Sequence, residues 1–357
     1  MKNRLLAFLL SLTIFLAGCW DEAQYKDVTI VTFMGVSKED GEIKAIYSYP
    51  TFEQEKISYS LSEGKGISTR EARDDASHRT MEALGLFHLE VMLVSSDIAK
   101  EDLYETLDIY FRTPRNRVTS YIAIVEGEME QYFKPPGEMK TEVAEFYPEL
   151  LRTADLYSFV TEITMADTFR FLSDETMDFS LPYIIIDDKG MPKLEGIALF
   201  SKEKFTGTIL KNKEATLASI MKNEVGKYTR LSYEWDQKNS FISIEITDIR
   251  RKMRISNERI NVDYDITISV EEFPKNDLYK KEVRKDVENF LNSEMKKDFE
   301  KIIERTKEVK SDIIGFGRRV HAFHPKLWKK GEWQETYATM PIEVDVKVNM
   351  KRTSILD

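Results

Sequence analysis

The chain reads as an α+β protein, and three observations predict it. Asn261–Glu271 (NVDYDITISVE) and Met340–Met350 (MPIEVDVKVNM) alternate apolar and polar residues, as half-buried strands do. Between them, Asp277 to Lys310 carries the spacing of one long amphipathic helix. Upstream, β-rich runs punctuated by turn signals alternate with segments that open on helix caps.

Taken in order, Val28–Val36 and Ile43–Pro50 are β-rich, and Asp40-Gly41 between them is a hairpin signal. Ser68-Thr69-Arg70-Glu71 has the form of a capping box and predicts a helix through Leu84, stopped at Gly85. Leu89–Val94 predicts a buried strand, and Ser95-Ser96-Asp97 caps the helix after it. Further helices are predicted over Tyr104–Phe111, Glu138–Arg152 and Thr161–Leu172, with a strand at Val118–Val125. Leu181–Ile186 and Leu194–Phe200 flank a second hairpin signal, Asp187-Asp188-Lys189-Gly190. Lys204–Leu210, a short helix near Glu214–Lys222 and the strand Phe241–Ile249 follow.

In the last third, Val283, Val287, Phe290, Leu291, Met295, Phe299, Ile302, Ile303 and Val309 form the apolar stripe of the long helix. A helix lying across a sheet is the expected reading; a protruding coiled-coil arm would want a stricter heptad. Ser311–Val320 can open another helix, with Ser311 or Asp312 as cap. The last strand can pair with Asn261–Glu271, so the C-terminal unit is expected to be a long helix packed on an antiparallel sheet. The resulting division is 1–18 signal peptide, 19–185 N-terminal α+β domain, 186–253 small middle domain and 254–357 C-terminal α+β domain.

The N-terminus specifies a compartment. Lys2 and Arg4 precede a short apolar core, Leu5–Leu16, and then Ala17-Gly18-Cys19. That is the layout of a secretory signal peptide. The core is too short for a bilayer span, which takes about 20 apolar residues. Leu16-Ala17-Gly18-Cys19 matches the bacterial lipoprotein signal, with cleavage before Cys19 and a diacylglycerol on its thiol. Cys19 is the single cysteine of the chain, so no intrachain disulfide can form. Removing residues 1–18 takes away two bases and no acid, moving the formal net charge from −10 to −12. This acidic balance argues against nucleic acid and against a general electrostatic grip on anionic lipid.

Catalytic constellations are scarce. The sequence holds no Gly-x-Ser-x-Gly elbow, Walker loop, Gly-x-Gly-x-x-Gly or His-Glu-x-x-His. His321 and His324 share a helical spacing, but no acid at a metal-ligand distance in sequence supports them. The carboxylate pairs Asp74/Asp75 and Asp187/Asp188 fall on a polar helix face and in a turn. No catalytic residue, metal or cofactor is therefore expected. Gly315-Phe316-Gly317 permits close backbone approach or a helix break. Together with Trp328, near Trp333 and Tyr337, it is either a packing device or a candidate partner contact.

Three motifs then carry a family resemblance. The first is Gly18-Cys19-Trp20-Asp21 with the strand Val28–Val36. The second is Gly66-Ile67-Ser68-Thr69-Arg70-Glu71-Ala72, leading through Gly85 to Leu89–Val94 and Arg112-Thr113-Pro114-Arg115-Asn116-Arg117. The third is Ser311-Asp312-Ile313-Ile314-Gly315-Phe316-Gly317, followed by Pro325-Lys326-Leu327-Trp328 and Trp333. In these the chain resembles the C-subunit lipoproteins of bacterial spore germinant receptors, the Ger(x)C type. Leu84-Gly85-Leu86-Phe87-His88 departs from that pattern in being less basic. The resemblance implies a three-domain mixed α/β lipoprotein on the outer face of the spore inner membrane. It implies A-type and B-type receptor subunits as partners, a requirement in the nutrient response and no catalytic activity. The alternative is a solute-binding lipoprotein capturing a small nutrient. Such proteins usually have two comparable lobes, whereas the units here are unequal.

Overall fold

The computed structural model describes residues 28–352, apart from 54–55, 135–141, 162, 236–239, 257–258 and 275–276. Residues 1–27, and with them the leader and Cys19, lie outside the described residues.

Two sheets organise the chain. The larger has eight strands in the order β10-β9-β8-β7-β6-β2-β3-β4. Its centre is parallel: β2 (Phe33–Glu39), β6 (Val91–Ser95), β7 (Tyr121–Val125) and β8 (Ser180–Ile186). Antiparallel strands flank it. β3 (Glu42–Glu53) and β4 (Lys56–Gly66) close one side, and β9 (Pro192–Ser201) and β10 (Lys204–Lys211) close the other.

Strands buried on both faces need apolar side chains in both directions, which is why Val91–Val94 is continuously apolar. Met92 and Val94 face a core with Leu103, Leu107 and Tyr110, while Val91 and Leu93 face Tyr132, Tyr147 and Leu151. Helices α2 (Ser96–Glu101) and α3 (Leu103–Arg112) cover the first face. A 3-10 turn at Met129–Phe133 and α4 (Val143–Leu156) cover the second. Gly35 lets that turn sit against β2, since a Cβ there would fall 2.4 Å from the Met129 sulfur.

The hairpin signal at Asp40-Gly41 is a turn with φ of 53° and 88°, the left-handed pair that suits the twist of β2 and β3. The capping signal at Ser68 is also met, because Ser68 Oγ accepts the Glu71 N–H. Its helix, α1 (Thr69–Ser77), stops seven residues short of Leu84. Ser77 Oγ turns back onto the Arg73 carbonyl and Thr80 Oγ1 donates to the Ser77 and Glu82 carbonyls. The chain then enters β5 (Ala83–Gly85), which pairs in parallel with β1 (Val28–Ile30). The expected single strand Val28–Val36 is therefore two strands in two sheets.

The smaller sheet is β11-β12-β13-β14: Thr229–Trp235, Ser240–Ser256, Arg259–Glu272 and Ile342–Arg352. Val262, Tyr264, Ile266 and Ile268 of β13 are buried against α7 (Lys281–Glu308). The apolar stripe read from the sequence is the buried one: Val287, Leu291, Met295, Phe299, Ile302 and Ile303 face the sheet, and Val283, Phe290 and Val309 flank it. One expectation is corrected. β13 and β14 run parallel, so the sheet is mixed rather than antiparallel. A 28-residue helix crosses the sheet and returns the chain to the starting edge, and that connection makes neighbouring strands parallel.

The strands of the segment 186–253 have partners on both sides. They are shared out, β9 and β10 extending the larger sheet and β11 and β12 starting the smaller one. Helix α6 (Lys213–Lys222) is buried on nearly every side and joins them. Gly190 ends the hairpin whose two strands, β8 and β9, both belong to the larger sheet.

Candidate functional site

The two sheets meet at a pair of buried aspartates. Asp178 lies just before β8, in the loop after α5 (Met165–Leu172). Asp312 lies after α7, in the Ser311–Gly317 motif. Asp178 is 1% exposed and Asp312 is 0% exposed. The Asp312 N–H donates to Asp178 Oδ2 at 2.8 Å, and the Asp178 N–H donates to the Asp312 carbonyl at 3.1 Å. Asp178 Oδ1 also accepts the Lys202 N–H at 2.7 Å and Gln334 Nε2 at 3.2 Å. Beside them Ser311 Oγ donates to the Phe200 carbonyl.

The Asp312 carboxylate gathers the glycine motif around itself. Oδ1 accepts the Gly315 and Phe316 N–H groups at 2.9 and 3.0 Å; Oδ2 accepts Gly317 N–H at 2.7 Å and Trp333 Nε1 at 2.9 Å. The three amides open α8 (Phe316–Phe323), so Asp312 satisfies donors that a helix start leaves free. It is one of the two caps the sequence offers. Gly315 has a φ of +79°, which is the break the two glycines allow. Burial pushes the Asp312 carboxyl up to about 6, against the lowering pull of the amides. Burial likewise raises Asp178.

Of the sequence candidates for partner contact, Phe316 and Gly317 are packing residues. Phe316 is 0% exposed and lies 6.0 Å ring to ring from Tyr337. A Cβ on Gly317 would meet the Thr176 carbonyl at 2.3 Å and Trp333 Nε1 at 2.5 Å. Neither has surface to offer, because the motif is folded inward onto Trp333. Gly315 and Trp328 are half-buried. Trp328 lies in the short helix α9 (Pro325–Trp328), stacked on Trp333 at 5.7 Å with His321 edge-on at 4.9 Å. His321 is thus a ring partner on an exposed turn, and His324 is the residue between α8 and α9. Among the described residues no three His, Cys, Asp or Glu side chains gather as metal ligands, and no helix is long and apolar enough to cross a membrane.

The sequence reading missed Asp178 and Gln334. No signal marked them, since a lone aspartate in a loop is ordinary and its partners are 134 and 156 residues away. It also missed an apolar groove of about 610 Å³ between α4, β9, α6 and β11, lined by Leu150, Phe159, Leu194 and Leu231. Tyr337 completes the junction from α10 (Trp333–Thr339), its hydroxyl 2.7 Å from Thr306 Oγ1 of α7.

Comparison with known proteins matches both halves. Residues 21–186 fit the family model described as the spore germination protein N-terminal domain. Residues 195–354 fit the model described as spore germination B3/GerAC-like, C-terminal. Spore germination protein KC of Bacillus subtilis is 22% identical, over 99% of this chain and 97% of that protein. GerQC of Bacillus cereus is 24% identical over the whole of both chains. The crystal structure of the GerBC protein shares the fold, with a TM-score of 0.59 at 16% identity, over 89% of this chain and 97% of that one. A chain whose two halves both carry these signatures in order, joined through the Ser311–Gly317 motif, belongs to the GerAC-type family of spore germination proteins.

Proposed function

We propose that the chain is the lipid-anchored, non-enzymatic C-type subunit of a spore germinant receptor. Acylated Cys19 holds it on the outer face of the inner membrane, where it acts through contacts with the A-type and B-type subunits. The observation that carries this reading is the family match beginning at residue 21, immediately after the Leu16–Cys19 lipoprotein signal. A tether confines the folded part to a thin layer and so raises its effective concentration toward membrane partners. The two sheets share the Asp178–Asp312 seam, which suits a scaffold that presents its surfaces as one body.

The test is Cys19→Ala in spores. The protein should leave the inner-membrane fraction and nutrient-triggered germination should fall. Retention in the membrane together with normal germination would refute the anchor. Co-purification from solubilised inner membrane should recover the two partner subunits.

The apolar groove beside Leu194 supports a second reading, capture of a small nutrient. Calorimetry of the protein against amino acids, sugars and nucleosides tests it, and saturable binding lost in Leu231→Arg would favour it.

A further inference from the structure

A second groove, of about 620 Å³, opens beside the seam, where Met177, Ile313 and Gly315 line it. Its lining includes Arg251, Lys252 and Arg254 of β12 and Arg318, Arg319 and Phe323 of α8. In a chain of net charge −10 this is a local reversal. The acids nearby do not cancel it. Glu224 pairs with Lys222, Asp174 with Arg318 and Asp263 with Arg254. That leaves Arg251, Lys252 and Arg319 with no acidic partner among the described residues. Arg251 is committed to the Met221 and Ile314 carbonyls, which fixes its charge in place. Arg319 stacks on Phe323, its guanidinium carbon 4.4 Å from the ring centre, and Phe323 is 62% exposed.

Position says what this surface meets. Phe33, Val91 and Tyr121 are in register across the parallel strands, and Tyr183 pairs with Ile124, so Phe33 and Ser180 start their strands at one level. Three strand spacings separate them, about 15 Å. The chain comes to Phe33 from Val28 and to Ser180 from Met177 at this same edge of the larger sheet, and Met177 lines the groove. The segment from Cys19 to Val28 can span at most about 30 Å. An anchor on Cys19 therefore holds this edge within reach of the bilayer.

We propose that the groove is a membrane-docking site that takes the phosphate groups of anionic lipid headgroups, with Phe323 entering the interface beside Arg319. The proposal rests on the Cys19 anchor. Cationic side chains beside an exposed aromatic ring are the chemistry that anionic interfaces select.

The test uses the acylated protein in vesicles of phosphatidylcholine alone or with about one-third phosphatidylglycerol, read by amide hydrogen exchange. Residues 250–256 and 316–323 should exchange several-fold more slowly on the anionic vesicles, and salt should erase the difference. The double variant Lys252→Glu/Arg319→Glu should lose the protection while staying in the vesicle fraction; Lys204→Glu, an exposed charge outside the groove, should keep it. Equal exchange on both vesicles, or protection that survives the double variant, overturns the proposal. Protection produced by inorganic phosphate without vesicles also overturns it. The anchor is read separately from the intact mass. If the acyl chains are absent, the protein is added to preformed vesicles and the same protection decides the groove alone.

Discussion

Asp178 and Asp312 exchange two hydrogen bonds across the seam between the sheets, one through a carboxylate and one through a carbonyl, and among the described residues neither carboxylate has a buried cation beside it. Their stabilisation comes from N–H donors of the backbone, the Trp333 ring and the Gln334 amide. That makes the pair sensitive to exchanges that keep shape and change donor count.

Asp312→Asn should destabilise the protein by about 2–4 kcal/mol, because an amide offers one acceptor oxygen where two now take four N–H groups. Its NH2 would face donors. Urea unfolding followed by Trp333 fluorescence measures this. A loss under about 0.5 kcal/mol would refute the role of the carboxylate.

The cost of that substitution should depend on pH. The folded Asp312 carboxyl lies near 6, above the ordinary unfolded value of about 3.9. Between these values the folded form holds more protons than the unfolded one, so this group's contribution to stability falls as pH rises. Asp178, also raised, acts in the same direction. Asp312→Asn lacks the Asp312 titration. The stability gap between wild type and variant should therefore be wider at pH 4.5 than at pH 7.5, by about 2 kcal/mol. Exposed carboxylates such as Asp75 and Asp108 are common to both proteins and cancel in the difference. A gap that does not move with pH would refute the raised carboxyl.

The two glycines of the motif should separate. Gly317→Ala drives a Cβ into the Thr176 carbonyl and the Trp333 ring and should cost about 3 kcal/mol. Gly315→Ala meets nothing nearer than Met177 at 3.7 Å, so only its left-handed φ is strained, at about 1 kcal/mol. Thermal midpoints of the two variants test the order.

Phe299→Ala should cost about 3–5 kcal/mol, since Phe299 is fully buried with its ring 4.9 Å from Tyr264. The exposed Phe323→Ala should cost under about 0.5 kcal/mol. Chemical denaturation of both separates core from surface.

The legible parts of the fold are those with a local cause. The stripe from Val287 to Ile303 and the alternation of β13 are periodic, and Ser68 and Asp40-Gly41 act on neighbours three residues away or fewer. The illegible parts depend on distant partners. β4 escapes the sequence reading because its exposed face, with Ile57 and Leu61, breaks the usual alternation. The partners of the strands in 186–253 are not legible because pairing is decided between strands, and β9 finds β8 while β12 finds β13. The Ser311–Gly317 motif stands out in the sequence, but its inward orientation depends on Trp333 and Asp178, which no spacing connects. The basic groove has the same origin: Arg250–Arg254 and Arg318-Arg319 are unremarkable runs until the fold sets them side by side.

The parallel strand β14 has a consequence for synthesis. It pairs with the central β13 from Ile260–Ile342 to Ser269–Arg352, and α7 holds it, Asn292 and Glu288 accepting the Val348 and Met350 N–H groups. A polypeptide halted at Met340 would leave the apolar row Val262–Ile268 without its neighbour. The smaller sheet is therefore completed only once Ile342–Arg352 has been made, and a product terminated before that strand would present raw strand edges to proteases.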